Sequence, residues 1–146
     1  MITLAPLTPH TIGFAALLAE SQAGGHQMLR FFAENWHNGA NVFARPGEVM
    51  YGAWDDDTLV ATCGRNVDPY DPFPRAGRVR HLYVAEDHRQ HGIGRQLIEA
   101  IQRDAVAYFD YLNTNAPEAA FPFYARLGFE PMADAYGTHR YVLTQA

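Results

Sequence analysis

Arg89-Gln90-His91-Gly92-Ile93-Gly94-Arg95 combines cationic side chains with two closely spaced glycines and leads directly into helix-like sequence. Glycine lets the backbone approach a ligand closely. The first N–H groups of a helix lack intrahelical partners and sit at the positive end of its dipole. A turn of this kind is a cradle for phosphate oxygens. Two familiar versions are excluded. No G-x-x-x-x-G-K-S/T string occurs, and a dinucleotide fingerprint would need glycine at position 97, which is Leu97. Such a fingerprint also opens a domain, whereas this turn falls past mid-chain. Arg75, Arg78, Arg80, Arg89 and Arg95 gather in one third of the chain, a distribution that suits a small polyanion held at one place.

Other residues capable of chemistry read more simply as structure. Asp55-Asp56-Asp57 could mark a metal site, but between two strand-like runs it reads as a solvated hairpin turn. His88-x-x-His91 has no third ligand and reads as a phosphate rim or an exposed pair, so no metal is expected. Cys63 is the single cysteine and lies in the apolar run from Leu59, which reads as core packing and leaves no disulfide framework.

The elements that must position the cradle are legible from periodicity. Thr3 to Leu7 reads as a strand. Thr8-Pro9 reads as a cap and first turn of a helix with Ile12, Ala16, Leu17, Leu18 and Ala19 on its apolar face. Gly24-Gly25 breaks it, and His26 to Asn38 resumes helical spacing through Met28, Leu29, Phe32 and Trp36. Glu48–Trp54 and Thr58–Arg65 read as strands. Asp68 to Pro74, with three prolines, is a loop. Arg78–Val84 is the next strand, Gly92–Tyr108 the longest helix, Tyr111–Thr114 a strand, Glu118–Leu127 a short helix ended by Gly128, and Arg140–Thr144 a last strand. No repeat or linker interrupts this order.

The 146 residues suit one domain spanning 1–146, and 48% hydrophobic with 18% charged residues is a globular composition. No apolar run approaches the ~18 residues of a membrane span. The start Met1-Ile2-Thr3-Leu4-Ala5-Pro6 has neither the basic patch nor the apolar stretch of a signal peptide, so a cytoplasmic protein is expected. The net charge of -5 argues against a duplex nucleic-acid binder. The oligomeric state stays open, a homodimer being one arrangement.

Two further segments make the cradle specific. Leu82-Tyr83-Val84 followed by Arg89-x-x-Gly92-x-Gly94 is similar to the acyl-CoA motif of the GCN5-related N-acetyltransferases (GNAT superfamily), in which Arg or Gln precedes a glycine by three positions and a second Gly or Ala follows. Ala120-Phe121-Pro122-Phe123-Tyr124-Ala125-Arg126-Leu127-Gly128-Phe129 resembles that family's tyrosine segment, and one helix and one strand fill the interval between the two. Residue-level matching covers positions 78 to 129. The order of elements resembles the family over nearly the whole chain. The implied fold is α/β (α+β): a mixed, mostly antiparallel sheet flanked by about four helices, with a splayed central strand pair that binds acyl-CoA.

The resemblance implies acetyl-CoA as co-substrate, its pyrophosphate on the backbone from Arg89 and Gln90 through His91, Gly92, Ile93 and Gly94 to Arg95. Its pantetheine would lie along main-chain groups of Leu82, Tyr83 and Val84, one of whose amides polarises the thioester carbonyl. Relatives hold the CoA chain with an asparagine seven residues before the tyrosine. That position is Pro117 here, so Asn115 takes its place or the contact is absent. Tyr124 matches the general acid for the departing thiolate, a phenol of reference pKa ~10 being protonated at neutral pH.

The general base is not legible. Relatives place an acid or histidine where this chain has Arg78 and Arg80, which cannot deprotonate. His81 should point to the opposite face unless a bulge intervenes, so an ordered water, His81 or a residue of another segment takes the proton, or the amine arrives already neutral; His26 and His37 lie in the segment that lines the acceptor side and read equally as surface helix residues. Arg78 and Arg80 either grip a carboxylate or phosphate of the acceptor or form structural ion pairs with Glu48 or the aspartates. Trp36 and Tyr70, with Phe31, Phe32 and Phe73, are candidate walls of an acceptor pocket. The expected activity is acetylation of a small-molecule primary amine, such as an amino acid. The alternatives are a protein or peptide N-acetyltransferase using an acidic groove near Asp68 to Phe73, and a non-catalytic acyl-CoA-binding regulatory module.

Overall fold

Seven strands form one sheet in the order β1-β2-β3-β4-β5-β7-β6; the structure, a computed structural model, describes residues 1–143. β1 (Ile2–Pro6), β2 (Val49–Asp55), β3 (Thr58–Val67) and β4 (Ala76–Val84) make an antiparallel meander. β5 (Tyr111–Thr114) pairs parallel to β4, and β7 (His139–Val142) pairs antiparallel to both β5 and the short β6 (Glu130–Pro131). The flanking helices are α1 (Phe14–Ala23), α2 (Met28–His37), α3 (Ile93–Arg103) and α4 (Phe121–Arg126). This is the mixed, mostly antiparallel sheet with four helices that the resemblance implies.

The local causes are plain. β3 is buried from Leu59 through Asn66, the pattern of a strand covered on both faces. The three aspartates supply its entry turn: Asp55 pairs with Thr58, leaving a two-residue loop in which Asp56 takes φ 51, a left-handed conformation that aspartate tolerates. α3 buries Ile93, Leu97, Ile98 and Ile101 along one stripe against β3 and β4. From the other side α2 inserts Leu29 and Phe32, both almost fully buried. Cys63 is fully buried, and that burial pushes its thiol well above the ordinary range.

Several boundaries differ from the sequence reading. Thr8-Pro9 makes a turn, not a helix start: the Thr8 hydroxyl accepts from the His10 amide at 3.1 Å and the Thr8 amide donates to the Thr11 hydroxyl at 3.0 Å. α1 begins only at Phe14, behind Gly13 at φ 93, so Ile12, Ala16 and Ala19 face solvent while Phe14, Leu17 and Ser21 face the core. α3 stops at Arg103. The buried Arg65 guanidinium takes the Ile101 carbonyl and the Asp104 carboxylate, each at 2.6 Å, and captures the helix end; a 3-10 turn, Ala105–Ala107, follows. Glu118–Ala120 is a 3-10 turn ahead of α4. Of the last expected strand, Thr144 lies outside the described residues.

Candidate active site

Pairing between β4 and β5 runs from Ala76↔Tyr111 to Arg78↔Asn113 and stops there. Beyond it β4 continues to Val84 while the chain after β5 turns away, and Val79 to Val84 and Thr114–Asn115 line opposite sides of a cleft with a cavity volume of about 1360 Å³. The splay leaves main-chain donors and acceptors of Leu82 and Val84 without a strand partner on that edge, which is what an extended ligand chain needs. β4 also carries a bulge. Thr62 pairs with Tyr83 and Gly64 with Arg80, so Cys63 alone faces His81 and Leu82. His81 takes φ 57 there. Regular alternation therefore fails at His81, whose ring lies against Phe32 and Phe43 and still reaches the cleft wall.

The cradle closes one end of the cleft. Gln90 (φ 66) and Gly92 (φ 79) are both left-handed, and the first intrahelical bond of α3 is Gln96 N–H to the Gly92 carbonyl at 3.1 Å. The amides of Ile93, Gly94 and Arg95 precede that bond and point out of the helix end, the arrangement that binds phosphate oxygens. Arg89 spends Nε on the Val84 carbonyl at 2.9 Å and lies over the Tyr83 ring, which leaves its terminal nitrogens for an anion. A methyl added at Gly92 meets nothing within 4 Å, so Gly92→Ala is strained by its backbone alone; at Gly94 the neighbour is Phe123 at 3.4 Å, ordinary contact. Gly92→Ala is expected to lower stability by about 1 kcal/mol and to weaken CoA about tenfold, whereas Gly94→Ala changes neither. Denaturant unfolding and titration calorimetry measure both, and unchanged CoA affinity in Gly92→Ala would remove that turn from the cradle.

Tyr124 stands where the splay meets α4. It is 5% exposed, packed edge-on against Phe123 and Phe129 at ring distances of 5.1 and 5.2 Å, and it lines the cleft. Its carbonyl receives the Leu127 and Phe129 amides, both at 3.0 Å, so the turn around Gly128 (φ 91) fixes its backbone. Burial pushes the phenol above its ordinary value and keeps it protonated.

At the opposite end the two strand arginines part company. Arg78 donates to the Tyr136 carbonyl at 2.6 Å, meets Asp68 at 3.4 Å and lies 4.8 Å from the Tyr70 ring centre. Arg80 has a single long contact, Asn66 Oδ1 at 3.4 Å, and no carboxylate within ion-pair distance among the described residues. Burial lowers its pKa, but a guanidinium stays charged. Asp68 and Asp71 turn inward. They accept from the fully buried Asn113 amide at 2.9 and 3.1 Å, and Asp71 also accepts from the Tyr111 hydroxyl at 2.7 Å. The proline loop is thereby nailed to β5 and presents Tyr70, not its acids, to the cleft.

Of the sequence-level candidates, Arg78, Arg80, Leu82, Tyr83, Val84, Arg89, Gln90, Gly92, Ile93, Gly94, Arg95, Asn115, Tyr70 and Tyr124 share the one cleft. His91 is exposed on the turn and Trp36 packs on Phe32 at 6.0 Å; neither lines it. Phe73 stacks on Tyr111 instead, and His37 on His10. Phe31, His26 and His88, read from the sequence as an acceptor wall, an acceptor-side residue and a phosphate rim, line it too, and Asn35 and Arg126 do so with no such reading. Arg126 could have been found, two positions after Tyr124 in the matching segment. Among the described residues no cluster of His, Cys, Asp or Glu is arranged to hold a metal ion, and no helix is long and apolar enough to cross a membrane.

The sequence of residues 46–131 matches the family model described as an acetyltransferase (GNAT) domain. No curated protein matches the chain. Among solved structures, one described as an acetyltransferase from Exiguobacterium is 29% identical, with 97% of this chain and 93% of that one covered and a TM-score of 0.83. A GNAT-family acetyltransferase from Staphylococcus aureus (13% identity, 99% and 100% covered, TM-score 0.72) has the same fold. So does the ribosomal-protein-S18-alanine N-acetyltransferase of Escherichia coli (16% identity, 100% and 96% covered, TM-score 0.71). Family-model match, splayed strand pair and glycine cradle agree: the chain belongs to the GNAT family of acetyltransferases.

Proposed function

We propose that the protein moves the acetyl group of acetyl-CoA to the primary amine of a small molecule that also carries a carboxylate, such as an amino acid. Charge in the cleft supports this most directly. Arg89, Arg95 and Arg126 line the phosphate end, Arg78 and Arg80 the other end, and among the described residues no Asp or Glu lines the cleft at all. A chain of net charge -5 has thus kept its carboxylates out of this one concavity. Three arginines suit the phosphates of CoA. Arg78 is paired with Asp68, and Arg80, which no carboxylate pairs among the described residues, repels a polyamine or a basic peptide and attracts an acceptor with an anionic group. In this reading the amine attacks the thioester directly, a main-chain amide of the bulged strand holds the developing oxyanion, and Tyr124 protonates the thiolate.

Release of free CoA, followed across amino acids, descarboxylated analogues, aromatic amines, polyamines and peptides, tests the proposal. All eleven cationic side chains are arginine, so no lysine of the enzyme competes as acceptor. Carboxylate-bearing amines are expected to exceed their descarboxylated analogues by about 30-fold or more in kcat/KM. Tight CoA binding without turnover for any acceptor class would instead make the protein a CoA-responsive binding module.

A further inference from the structure

An acceptor ammonium must lose a proton before it can attack a thioester, and the cleft offers few takers. Its arginines cannot deprotonate, and burial holds the Tyr83 and Tyr124 phenols protonated. The bases left on its wall are three imidazoles, His26, His81 and His88. His88 sits in the 3-10 turn Glu86–His88 that leads into the cradle; its Nε2 is engaged by Asp55 Oδ2 at 3.0 Å and its Nδ1 is buried, out of reach of a molecule in the open cleft. The His81 ring is wedged between Phe32 and Phe43 at 5.7 and 6.1 Å, beside Arg80. Burial and that neighbouring cation push its pKa down to about 3, and a group so placed cannot keep a proton.

We propose that His26, in the loop between α1 and α2, is the base that takes the proton from the acceptor nitrogen. The assignment rests on the acetyltransferase reading above. Gly25 (φ 84) turns the loop, and the His26 amide donates to the Ser21 carbonyl at 2.9 Å, which fixes the residue at the cleft wall. Its ring meets the edge of Tyr83 at 5.6 Å, and Tyr83 lies between Leu82 and Val84, the strand residues that border the splay. Tyr83 is itself held: its hydroxyl donates to Glu20 of α1, whose same oxygen receives the Glu86 amide at 3.3 Å. The titratable and charged groups around the imidazole are therefore Tyr83 from β4, Glu20 from α1 behind the Tyr83 hydroxyl, and Arg89 from the cradle turn, 5.5 Å from the Tyr83 ring centre. Burial, with Glu20, pushes the Tyr83 phenol up to about 12, so Tyr83 supports His26 and does not replace it.

The proton and electron balance is complete. The ammonium gives one proton to His26, and the freed lone pair forms the N–C bond as the carbonyl pair moves to oxygen. That pair returns, the C–S bond breaks, and the thiolate takes the Tyr124 proton. The second nitrogen proton, acid once the amide forms, returns through solvent to the Tyr124 phenolate, and the imidazolium releases its own to solvent. The products are the N-acetyl amide, free CoA and one proton.

His26→Gln removes the base and keeps a polar side chain at an exposed position. It is expected to lower kcat at neutral pH by about 100-fold, to leave CoA affinity and the melting temperature unchanged, and to move the acidic limb of the pH–rate profile to the alkaline range where the acceptor amine loses its proton unaided. Added imidazole restores part of the rate. His37→Gln, off the cleft, keeps the wild-type profile. An active wild type with equal kcat and an unmoved acidic limb in His26→Gln would overturn this assignment alone. A wild type that acetylates no acceptor class while binding CoA would overturn the acetyltransferase reading and this assignment with it.

Discussion

Tyr124→Phe is expected to lower kcat by about 10² to 10³-fold while acetyl-CoA binding stays within about twofold. The substitution deletes one oxygen. The ring keeps its contacts with Phe123, Phe129 and His139, and the backbone keeps the Leu127 and Phe129 hydrogen bonds, so the wall of the cleft is preserved. A phenol raised by burial is a weaker acid than one in water, which at first sight argues against proton donation. The same dry wall acts on the leaving group. Cys63 is a thiol of the same core, and burial drives it upward too. A CoA thiolate expelled beside Tyr124 is destabilised in the same way and becomes a stronger base, so donor and acceptor stay matched. The sign of the pH dependence follows. With its pKa raised, Tyr124 stays protonated through the working range, so the ratio of wild-type to Tyr124→Phe rates should be flat from about pH 6 to about pH 9. A ratio that falls across that window, or parallel loss of kcat and CoA affinity, would take Tyr124 out of the acid role.

What could be read from the sequence was whatever depends on local pattern. The glycine cradle, the three-aspartate hairpin and the β3 and α3 apolar runs are short-range signals, and each survives in the structure at its expected place. What failed was decided by contacts distant in sequence. α3 ends early because Arg65, far back on β3, captures the Ile101 carbonyl and the Asp104 carboxylate. Thr8 looked like a helix cap, but its hydroxyl closes a local turn and Gly13 delays the helix. At His81 strand alternation leaves the environment open unless a bulge is known, and here one residue of β3 faces two of β4, which no residue type announces. The histidines could not be ranked either, since only the folded chain shows His26 on the cleft and His37 against His10.

Arg80→Ala is expected to raise KM for a carboxylate-bearing acceptor by about 100-fold and to leave KM for acetyl-CoA and for a descarboxylated acceptor nearly unchanged. From the sequence alone, an anion grip and a structural ion pair describe Arg78 and Arg80 equally well. The structure distributes their partners unevenly. Arg78 spends its donors on Tyr136 and on Asp68, whose side chain is 0% exposed, and stacks on Tyr70, so its removal would strand a buried carboxylate and destabilise the protein by about 3 kcal/mol. Arg80 offers a planar fork of donors to one long contact with Asn66. A half-buried cation left in that state weakens the empty protein and is relieved by an anion, so the same desolvation that disfavours the free site strengthens its grip on a carboxylate. Arg80→Ala should therefore fold as well as wild type. Arg80→Lys should recover only part of the affinity, since an ammonium cannot make the bidentate contact. Added salt should weaken acceptor binding in wild type more than in Arg80→Ala. Equal losses for acceptors with and without a carboxylate would show that Arg80 shapes the cleft without reading the acceptor's charge, and the acceptor class would have to be sought among uncharged amines.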